Sequence, residues 1–311
     1  MRFASDLWSV IVGGSSGFGL AAAQKLAAHG MNLCIVHRDR RGPMRAIEPA
    51  FEAIREKGVA LITFNLDGLS TDGRTKVLDT LAAELGETGR VRMLLHSVAF
   101  GNLKLLVPFK NTGAQAGARE KIAGELGLTY DAFTGTVQDA FDNGEHRLFP
   151  LLDPPAYNER QFLDQGDFSR TVHAMGHNIV EWATDMLHRG LFADDGRVLS
   201  LTSEGNTIAW RGYAAVSAAK AVLESVSRSM AVELAPYGIR SNVIQAGVSD
   251  TPALRAIPGS ERIKAQAFLR NPFGRLTKPT DVANVIFLLC LDEAAWINGA
   301  LICADGGERI A

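Results

Sequence analysis

The sequence predicts an α/β fold, a Rossmann-like doubly wound parallel sheet of about seven strands covered by helices. Three observations support this prediction. Short apolar segments alternate with helix-like segments from residue 9 to residue 95, the alternation resumes at residue 172, and glycine or proline separates most of these segments. The 311 residues suit one large domain of this kind. We therefore expect a single Rossmann-like domain over residues 1–311 with an insertion at residues 103–165.

The predicted strands are short apolar runs that stop at glycine or at polar residues. They cover residues 9–12, 33–36, 60–64, 91–95, 197–201, 239–244 and 300–303. The predicted helices end where Gly30, Gly58, Pro236 or Gly238 would break them. They cover residues 20–29, 51–57, 76–85, 172–188, 213–234 and 281–291.

Residues 103–165 interrupt this alternation with a stretch rich in glycine, proline and charge. Residues 118–126 and 136–141 look helical, and the run Asp153-Pro154-Pro155 would end any helix that reaches it. Long insertions inside compact domains are usually functional lids or disordered excursions. The insertion is thus a candidate lid or interface, and the sequence leaves its role open.

The composition indicates an ordinary water-soluble protein. Hydrophobic residues make up 47% and charged residues 21%, and the net charge of −2 gives no reason to expect nucleic-acid binding. We see no signal peptide, and the longest apolar run, residues 285–291, is too short to cross a membrane. The scattered Cys34, Cys290 and Cys303 lie in apolar runs and predict buried free thiols in a reducing, cytoplasmic setting.

A glycine-rich turn joins the first predicted strand to the first predicted helix. Gly13, Gly17 and Gly19 allow a tight turn and a close approach of the backbone to a pyrophosphate, which the helix N-terminus would then attract. The turn predicts a dinucleotide site. Its candidate residues are Gly13, Ser15, Ser16, Gly17, Phe18 and Gly19.

The residues after the second and third predicted strands point to the form of the cofactor. His37 stands where an acid would hold the ribose 2′-hydroxyl of NAD, and Arg38 follows it. An arginine suits a 2′-phosphate through its charge and paired donors, so NADPH is favoured over NADH. Leu66 and Asp67, after the third strand, are candidate contacts of the adenine.

These motifs resemble the short-chain dehydrogenase/reductase superfamily over residues 7–102 and 168–308. The glycine spacing, Ser203 after a strand, Lys220 on the next helix and the run Asp305-Gly306-Gly307 carry the resemblance. The glycine motif starts with Val12 where the family usually has threonine.

One departure from the family pattern points to a subfamily. Ordinary members carry a tyrosine four residues before the lysine, where this chain has Val216. The nearest tyrosine, Tyr213, lies seven residues before Lys220, which is the spacing of enoyl-acyl-carrier-protein reductases. Nearly two helical turns separate the two residues, so they share a helix face.

Two further segments, residues 96–101 and 245–254, are similar to those of enoyl reductases. The resemblance implies that they add cofactor contacts. These are Ser97, Val98, Ala99, Gly247, Val248 and Thr251.

The resemblance also implies the chemistry. Hydride would reach the β-carbon of an enoyl thioester while Tyr213 binds the thioester oxygen, Lys220 holds the nicotinamide ribose, and Ser203 assists. Phe100 and Ile257 would contact the substrate, and residues 252–275 would cover it, with Ala265 among those lining an acyl tunnel. The substrate would be a small-molecule or carrier-protein-bound acyl thioester of fatty acid biosynthesis, and the protein a homotetramer.

Other interpretations stay open. A carbonyl or alcohol oxidoreductase shares the fold and would use Ser203 to hold a substrate oxygen, and a cofactor-binding protein without catalysis is also possible. His173 is a candidate proton relay. His173 and His177 share a helix face, but no third ligand follows at the expected spacing, so we predict no metal site.

Overall fold

A computed structural model describes residues 2–110, 114–158 and 160–311 of the chain. In these residues, seven parallel strands form one sheet in the order β3-β2-β1-β4-β5-β6-β7. The strands are β1 (Leu7–Val12), β2 (Asn32–His37), β3 (Leu61–Asn65), β4 (Arg90–His96), β5 (Phe192–Thr202), β6 (Ile239–Ala246) and β7 (Leu301–Ala304). This confirms the predicted Rossmann-like sheet. The strand order reverses between β1 and β4, where ligands bind in such sheets.

The helices connect the strands and pack on both faces of the sheet. In chain order they are α1 (Gly17–Ala28), α2 (Arg41–Arg55), α3 (Thr71–Leu85), α4 (Ala114–Glu125), α5 (Tyr130–Asp142), α6 (Gln165–Val172), α7 (Asn178–His188), α8 (Ala214–Glu233), α9 (Pro252–Arg255), α10 (Ser260–Arg270) and α11 (Pro279–Leu289).

Two hydrophobic cores lie on opposite sides of the sheet because successive side chains of a strand point to opposite faces. Val10 of β1 packs in the core that contains Leu78 of α3 and Trp182 of α7. The next residue, Ile11, packs in the core that contains Leu26 of α1. Each central strand is therefore buried on both faces, which explains the continuous apolar runs in the sequence.

Strand β7 lies at the edge of the sheet and corrects one prediction. Cys34 and Cys290 are buried, as expected, but Cys303 on β7 is exposed. Leu301, two residues earlier on the same face, is exposed too. An edge strand can leave one face uncovered, so an apolar run there does not guarantee burial.

The insertion folds and has a small core of its own. Phe133, Val137 and Phe141 of α5 pack with Ala123 of α4 and with Ala265 of α10. The predicted helices of the insertion therefore exist, although both differ in extent from the prediction. Residues 111–113 and 159 of the predicted insertion lie outside the described residues.

A π-helical turn, His173–His177, connects α6 to α7. The backbone N–H of Asn178 bonds the carbonyl of His173, five residues back. The predicted helix over residues 172–188 thus starts earlier and changes register within its length. The turn places Glu181 against both histidines, so the expectation that no third ligand accompanies His173 and His177 is wrong.

No helix within the described ranges is long and apolar enough to cross a membrane.

Two glycine-to-alanine substitutions, one at a closely packed helical glycine and one at an open helical glycine, test the packing of α1 on the glycine turn. A Cβ on Gly19 would lie 2.1 Å from the backbone oxygen of Gly13, whereas a Cβ on Gly117 of α4 would meet nothing within 4 Å. We expect Gly19→Ala to lower the free energy of unfolding by about 1–3 kcal/mol, a typical cost of overpacking. Gly117→Ala should cause no loss, because alanine is the better helix former by about 0.5–1 kcal/mol.

Urea denaturation of both variants measures the difference. Equal stability of Gly19→Ala and the wild type would contradict the close packing of α1 on the turn.

Candidate active site

Each of the three glycines of the turn has its own structural reason. Gly13 and Gly17 have φ angles of +91° and +54°, a region that favours glycine. A Cβ on Gly13 would also lie 2.4 Å from the carbonyl oxygen of Ser97, in the loop after β4. Gly19 lets α1 approach the turn. The backbone around the turn is therefore open to a ligand and closely packed behind it.

A cavity with a volume of about 470 Å³, the first cavity below, opens beside this turn. It lies at the carboxyl ends of the central strands and at the N-terminus of α1, where anionic ligands bind. The Ser16 side chain makes no capping hydrogen bond to α1. The predicted cofactor residues on the cavity wall are Gly13, Ser15, Ser16, Gly17, Phe18, His37, Arg38, Leu66, Asp67, Ser97, Val98, Ala99 and Thr251.

The side chains of His37 and Arg38 differ in burial and in their ion-pair partners. The His37 ring is buried and its Nδ1 lies 2.9 Å from a carboxylate oxygen of Asp39. The half-exposed Arg38 donates from Nη1 to Asp67 Oδ2 at 2.9 Å. Arg38 thus presents a positive charge held by one exposed ion pair, and such pairs are weak enough to exchange partners.

Phe100, predicted to contact the substrate, lines the first cavity, with the Arg38 guanidinium 5.0 Å from its ring centre. The ring of Phe100 is half-exposed. Its contact with Arg38 places it beside the predicted ribose-phosphate end of the cleft.

The second cavity adjoins the first and has a volume of about 200 Å³. Both cavities share Phe18, Ala99 and Thr251 in their walls. Gly247 and Val248, predicted to contact the cofactor, line the second cavity, as does the predicted substrate contact Ile257. The two residues after β6 thus lie at the junction where a cofactor ring and a substrate would meet.

Tyr213 enters the second cavity from the N-cap position of α8. Its ring packs edge-on against Trp210, with 5.2 Å between centroids. A Cβ on Gly205 would lie 2.5 Å from the tyrosine ring, so glycine is needed there. Gly205 is a positioning residue that carried no recognisable signal in the sequence.

Burial raises the pKa of Tyr213, and its interaction with Ser203 partly opposes this. The Ser203 hydroxyl is buried and has no hydrogen bond of normal geometry within the described part of the chain. The two hydroxyls therefore face one small apolar cavity as protonated, available donors.

Lys220 lies on the same helix and is buried. Its ammonium donates to the backbone carbonyl of Leu201 at 2.8 Å. Burial lowers its pKa to about 8, while the charge of Glu224, one turn further along α8, opposes the decrease. At neutral pH the lysine is mostly charged and can still donate.

His96 and Asn178 add polar groups that the sequence did not assign to the site. Burial and then the charge of Lys220 lower the pKa of His96 to about 3, so its ring is neutral. Asn178 is fully buried, donates to the carbonyl of Leu69 at 3.4 Å and partly offsets the lowered pKa of His96. His173, the predicted relay, instead pairs with Glu181 near the surface.

Family comparisons agree with this geometry. A family model described as short chain dehydrogenase matches residues 8–118, and one described as enoyl-(acyl carrier protein) reductase matches residues 158–308. The oxidoreductase YjdA of Bacillus subtilis is 33% identical over 188 residues, which cover 60% of this chain and 67% of YjdA.

The chain belongs to the short-chain dehydrogenase/reductase family. It is an oxidoreductase, and the glycine turn and first cavity fit the NAD(P) cofactor that such enzymes use.

Two further similarities extend along almost the whole chain. The cis-4-hydroxycyclohexanecarboxylate dehydrogenase of Sinomonas cyclohexanicum is 25% identical over 299 residues, 96% of this chain and 95% of that protein. An enoyl-(acyl-carrier-protein) reductase of Anaplasma phagocytophilum, solved in complex with NAD, superposes with a TM-score of 0.69. It is 19% identical, with 100% of this chain and 96% of that chain covered, and so supports the fold alone.

In this short-chain dehydrogenase/reductase an ion-pair cluster closes the far side of the second cavity. Arg270 of α10 donates to Glu204 at 2.5 Å and to Glu308 at 3.3 Å. Glu308 accepts from the backbone N–H of Val248 at 3.2 Å. Burial, and then repulsion from Glu204, raises the pKa of Glu308 to about 6. The cluster ties α10 and the C-terminus to the loop after β6.

Glu308 gives a pH-dependence test for this short-chain dehydrogenase/reductase. Because its folded pKa of about 6 exceeds its ordinary value of 4.5, the folded protein binds more protons between these values. The Glu308 contribution to stability is therefore favourable below pH 4.5 and decreases as pH rises to about 6. In Glu308→Gln this component of the pH dependence should disappear.

Melting temperatures measured from pH 4 to pH 7 test this, with the exposed Glu293→Gln as the matched control. A wild-type pH profile retained in Glu308→Gln would contradict the assignment.

Proposed function

We propose that this oxidoreductase uses NADPH to reduce the 2,3 double bond of an enoyl thioester. The observation that carries the proposal is the position of Tyr213. Its ring lines the second cavity beside Ser203, while Val216, at the ordinary position of the family's tyrosine, forms part of the apolar wall. Tyr213 is thus the phenol available to a substrate there, seven residues before Lys220.

The second cavity suits an acyl group better than a polar one. Leu103, Met175, Trp210 and Ile257 contribute apolar surface to its wall. Polar side chains are a minority of its wall, and Tyr213 and Ser203 are among them, as expected of a site that orients a polar atom of a largely apolar ligand.

Bound NADPH would supply a hydride to the β-carbon of the substrate. As negative charge builds on the thioester oxygen, the Tyr213 hydroxyl donates a hydrogen bond to it. Because burial raises the pKa of Tyr213, the phenol keeps its proton at neutral pH and remains a donor. Ser203 lies beside Tyr213 and offers a second hydroxyl to the same oxygen, and solvent supplies the proton that reaches the α-carbon.

Lys220, which lines neither of the two cavities, is assigned the role of holding the cofactor. Its ammonium is held at the Leu201 carbonyl in the unliganded chain and has further donors for the hydroxyls of the nicotinamide ribose. Its positive charge also lowers the energy of a developing negative charge nearby.

Arg38 supports the choice of NADPH over NADH. Its guanidinium lies at the adenosine end of the first cavity and is paired only with the exposed Asp67 among the described carboxylates. A 2′-phosphate offers a stronger, doubly charged partner to this fork of donors. His37 occupies the position where an acid would hold the ribose 2′-hydroxyl of NAD. Its ring forms a hydrogen bond with the carboxylate of Asp39.

A carbonyl or alcohol oxidoreductase is the second candidate. The buried Ser203 hydroxyl has no hydrogen bond of its own among the described residues and could hold a carbonyl oxygen together with Tyr213. The similarity to a hydroxycyclohexanecarboxylate dehydrogenase points the same way.

The two candidates differ in their products, so NADPH oxidation at 340 nm should be measured with 2-enoyl and 3-oxoacyl thioesters of coenzyme A and of acyl-carrier protein. We expect turnover of the enoyl substrates. Tyr213→Phe should lower kcat by about 100-fold or more, as loss of one oxyanion donor does. Tyr237→Phe, an exposed tyrosine after α8, is the matched control.

Turnover of oxo substrates alone, with Ser203→Ala inactive, would replace the enoyl-reductase proposal by the carbonyl-reductase one. NADPH binding without any turnover would favour a cofactor-binding protein without catalysis.

The cofactor choice has its own test. Arg38→Ala should weaken NADPH binding by about 10–100-fold, because a charge-assisted hydrogen bond contributes about 1.5–3 kcal/mol. Binding of NADH should change little. Fluorescence titration with both cofactors measures the dissociation constants, with the exposed Arg40→Ala as control. Equal losses for NADPH and NADH would contradict a 2′-phosphate contact.

A further inference from the structure

Three potential metal ligands converge on one face of the α6–α7 segment, outside the two cavities. His173, His177 and Glu181 each offer one ligand atom, and these atoms lie within 4.8 Å of one another. His173 Nε2 lies 3.0 Å from Glu181 Oε1, and His177 Nδ1 lies 3.7 Å from the same oxygen. Two imidazoles and a carboxylate form a ligand set that zinc takes in proteins.

The distances fit a metal ion of this class. Zinc binds imidazole nitrogen at about 2.0–2.1 Å, so the ligand atoms of a tetrahedral site lie about 3.4 Å apart. The two separations to Glu181, 3.0 Å and 3.7 Å, fall on either side of this value, and the ligand nitrogens of the two histidines lie within 4.8 Å of each other.

The π-helical turn explains why the side chains of three residues spaced four apart lie on the same side of the segment. In a regular α-helix, each step of four residues rotates the side chain by about 40° around the axis. The wider turn at His173–His177 winds the chain less per residue and so offsets this drift over the first step. The ring centres of His173 and His177 are consequently 5.1 Å apart, and Glu181 reaches both histidines.

Charge also favours a cation at this place. Arg74 donates to Glu181 Oε2 at 2.8 Å and to Asp185 Oδ2 at 2.5 Å. The two carboxylates together exceed the charge of one guanidinium, and Oε1 of Glu181 stays directed at the imidazoles. Arg74 would then orient the ligating carboxylate from behind, as outer partners do in metal sites.

The cluster is accessible from solvent. The side chains of His173, His177 and Glu181 are 36%, 45% and 32% exposed. An ion can enter without local unfolding, and a water molecule can occupy a fourth position.

We propose that His173, His177 and Glu181 bind one zinc-type divalent cation across the π-helical turn. The cation would connect the end of α6 to α7 and fix the segment that carries the buried Asn178, whose amide contacts the carbonyl of Leu69 beside the first cavity. The binding does not depend on which substrate the enzyme reduces.

The test uses full-length protein treated with a chelator and then titrated with Co²⁺ and Zn²⁺. We expect one Co²⁺ per chain with the intense visible absorption of a tetrahedral site, displaced by Zn²⁺. His177→Ala should weaken binding of Zn²⁺ at least tenfold, since even outer partners of metal ligands contribute 10–100-fold. His188→Ala, an exposed histidine at the end of α7, should leave the affinity unchanged.

A second readout separates loss of binding from loss of folding. Zn²⁺ should raise the melting temperature of the wild type and of His188→Ala but not that of His177→Ala, whose metal-free melting temperature should match the wild type. Glu181→Gln, which keeps the shape of the side chain, should also lose the shift. Equal affinity of His177→Ala and the wild type, or no stoichiometric binding to the wild type, would overturn the proposal and leave the cluster a hydrogen-bonded ion pair.

Discussion

The contact between the glycine turn and the loop after β4 determines the position of both cavities. Gly13 lies so close to the carbonyl of Ser97 that a side-chain methyl group on residue 13 would clash with it and force the two segments apart. The same turn accepts α1 at Gly19, so the helix N-terminus, the end of β1 and the end of β4 meet at one point. The first cavity opens on one side of this point, and Ala99, two residues after Ser97, borders both cavities.

Burial acts on the two principal side chains of the site in opposite directions. It raises the pKa of Tyr213 and lowers that of Lys220, because in each case the low-polarity surroundings penalise the charged form. A phenol that keeps its proton suits the stabilisation of charge on a substrate oxygen. A lysine with a pKa of about 8 still carries its charge at neutral pH and can compensate that developing charge. In the proposed reduction, the pair would therefore combine a proton donor with a positive charge near neutral pH.

Local patterns in the sequence were sufficient to predict the strands, the glycine turn and most of the first cavity, because strand and turn preferences depend on neighbouring residues. They could not predict which of the two cavities Phe100, Gly247 and Val248 would line, since that depends on the direction in which each loop leaves its strand. Glu181 follows His177 by four residues, so the spacing could have paired these two, but it could not predict that Glu181 also reaches His173. A spacing argument assumes a regular helix. The π-helical turn changes the register through a backbone hydrogen bond, and no side chain in the sequence indicates it.

The insertion has no recognisable sequence motif, but its packing shows that it supports α10. Its small core includes Ala265 of α10, a residue expected to line an acyl tunnel. Gly259, just before α10, lies against Pro155, where a Cβ would come within 2.5 Å of the proline ring. Helix α10 is thus held by the insertion on one side and, through Arg270, by Glu204 beside Ser203 on the other. The short segment around α9 places Ile257 on the wall of the second cavity. Because Pro155 lies against Gly259, two residues after Ile257, the insertion helps to fix the part of the chain that lines this cavity.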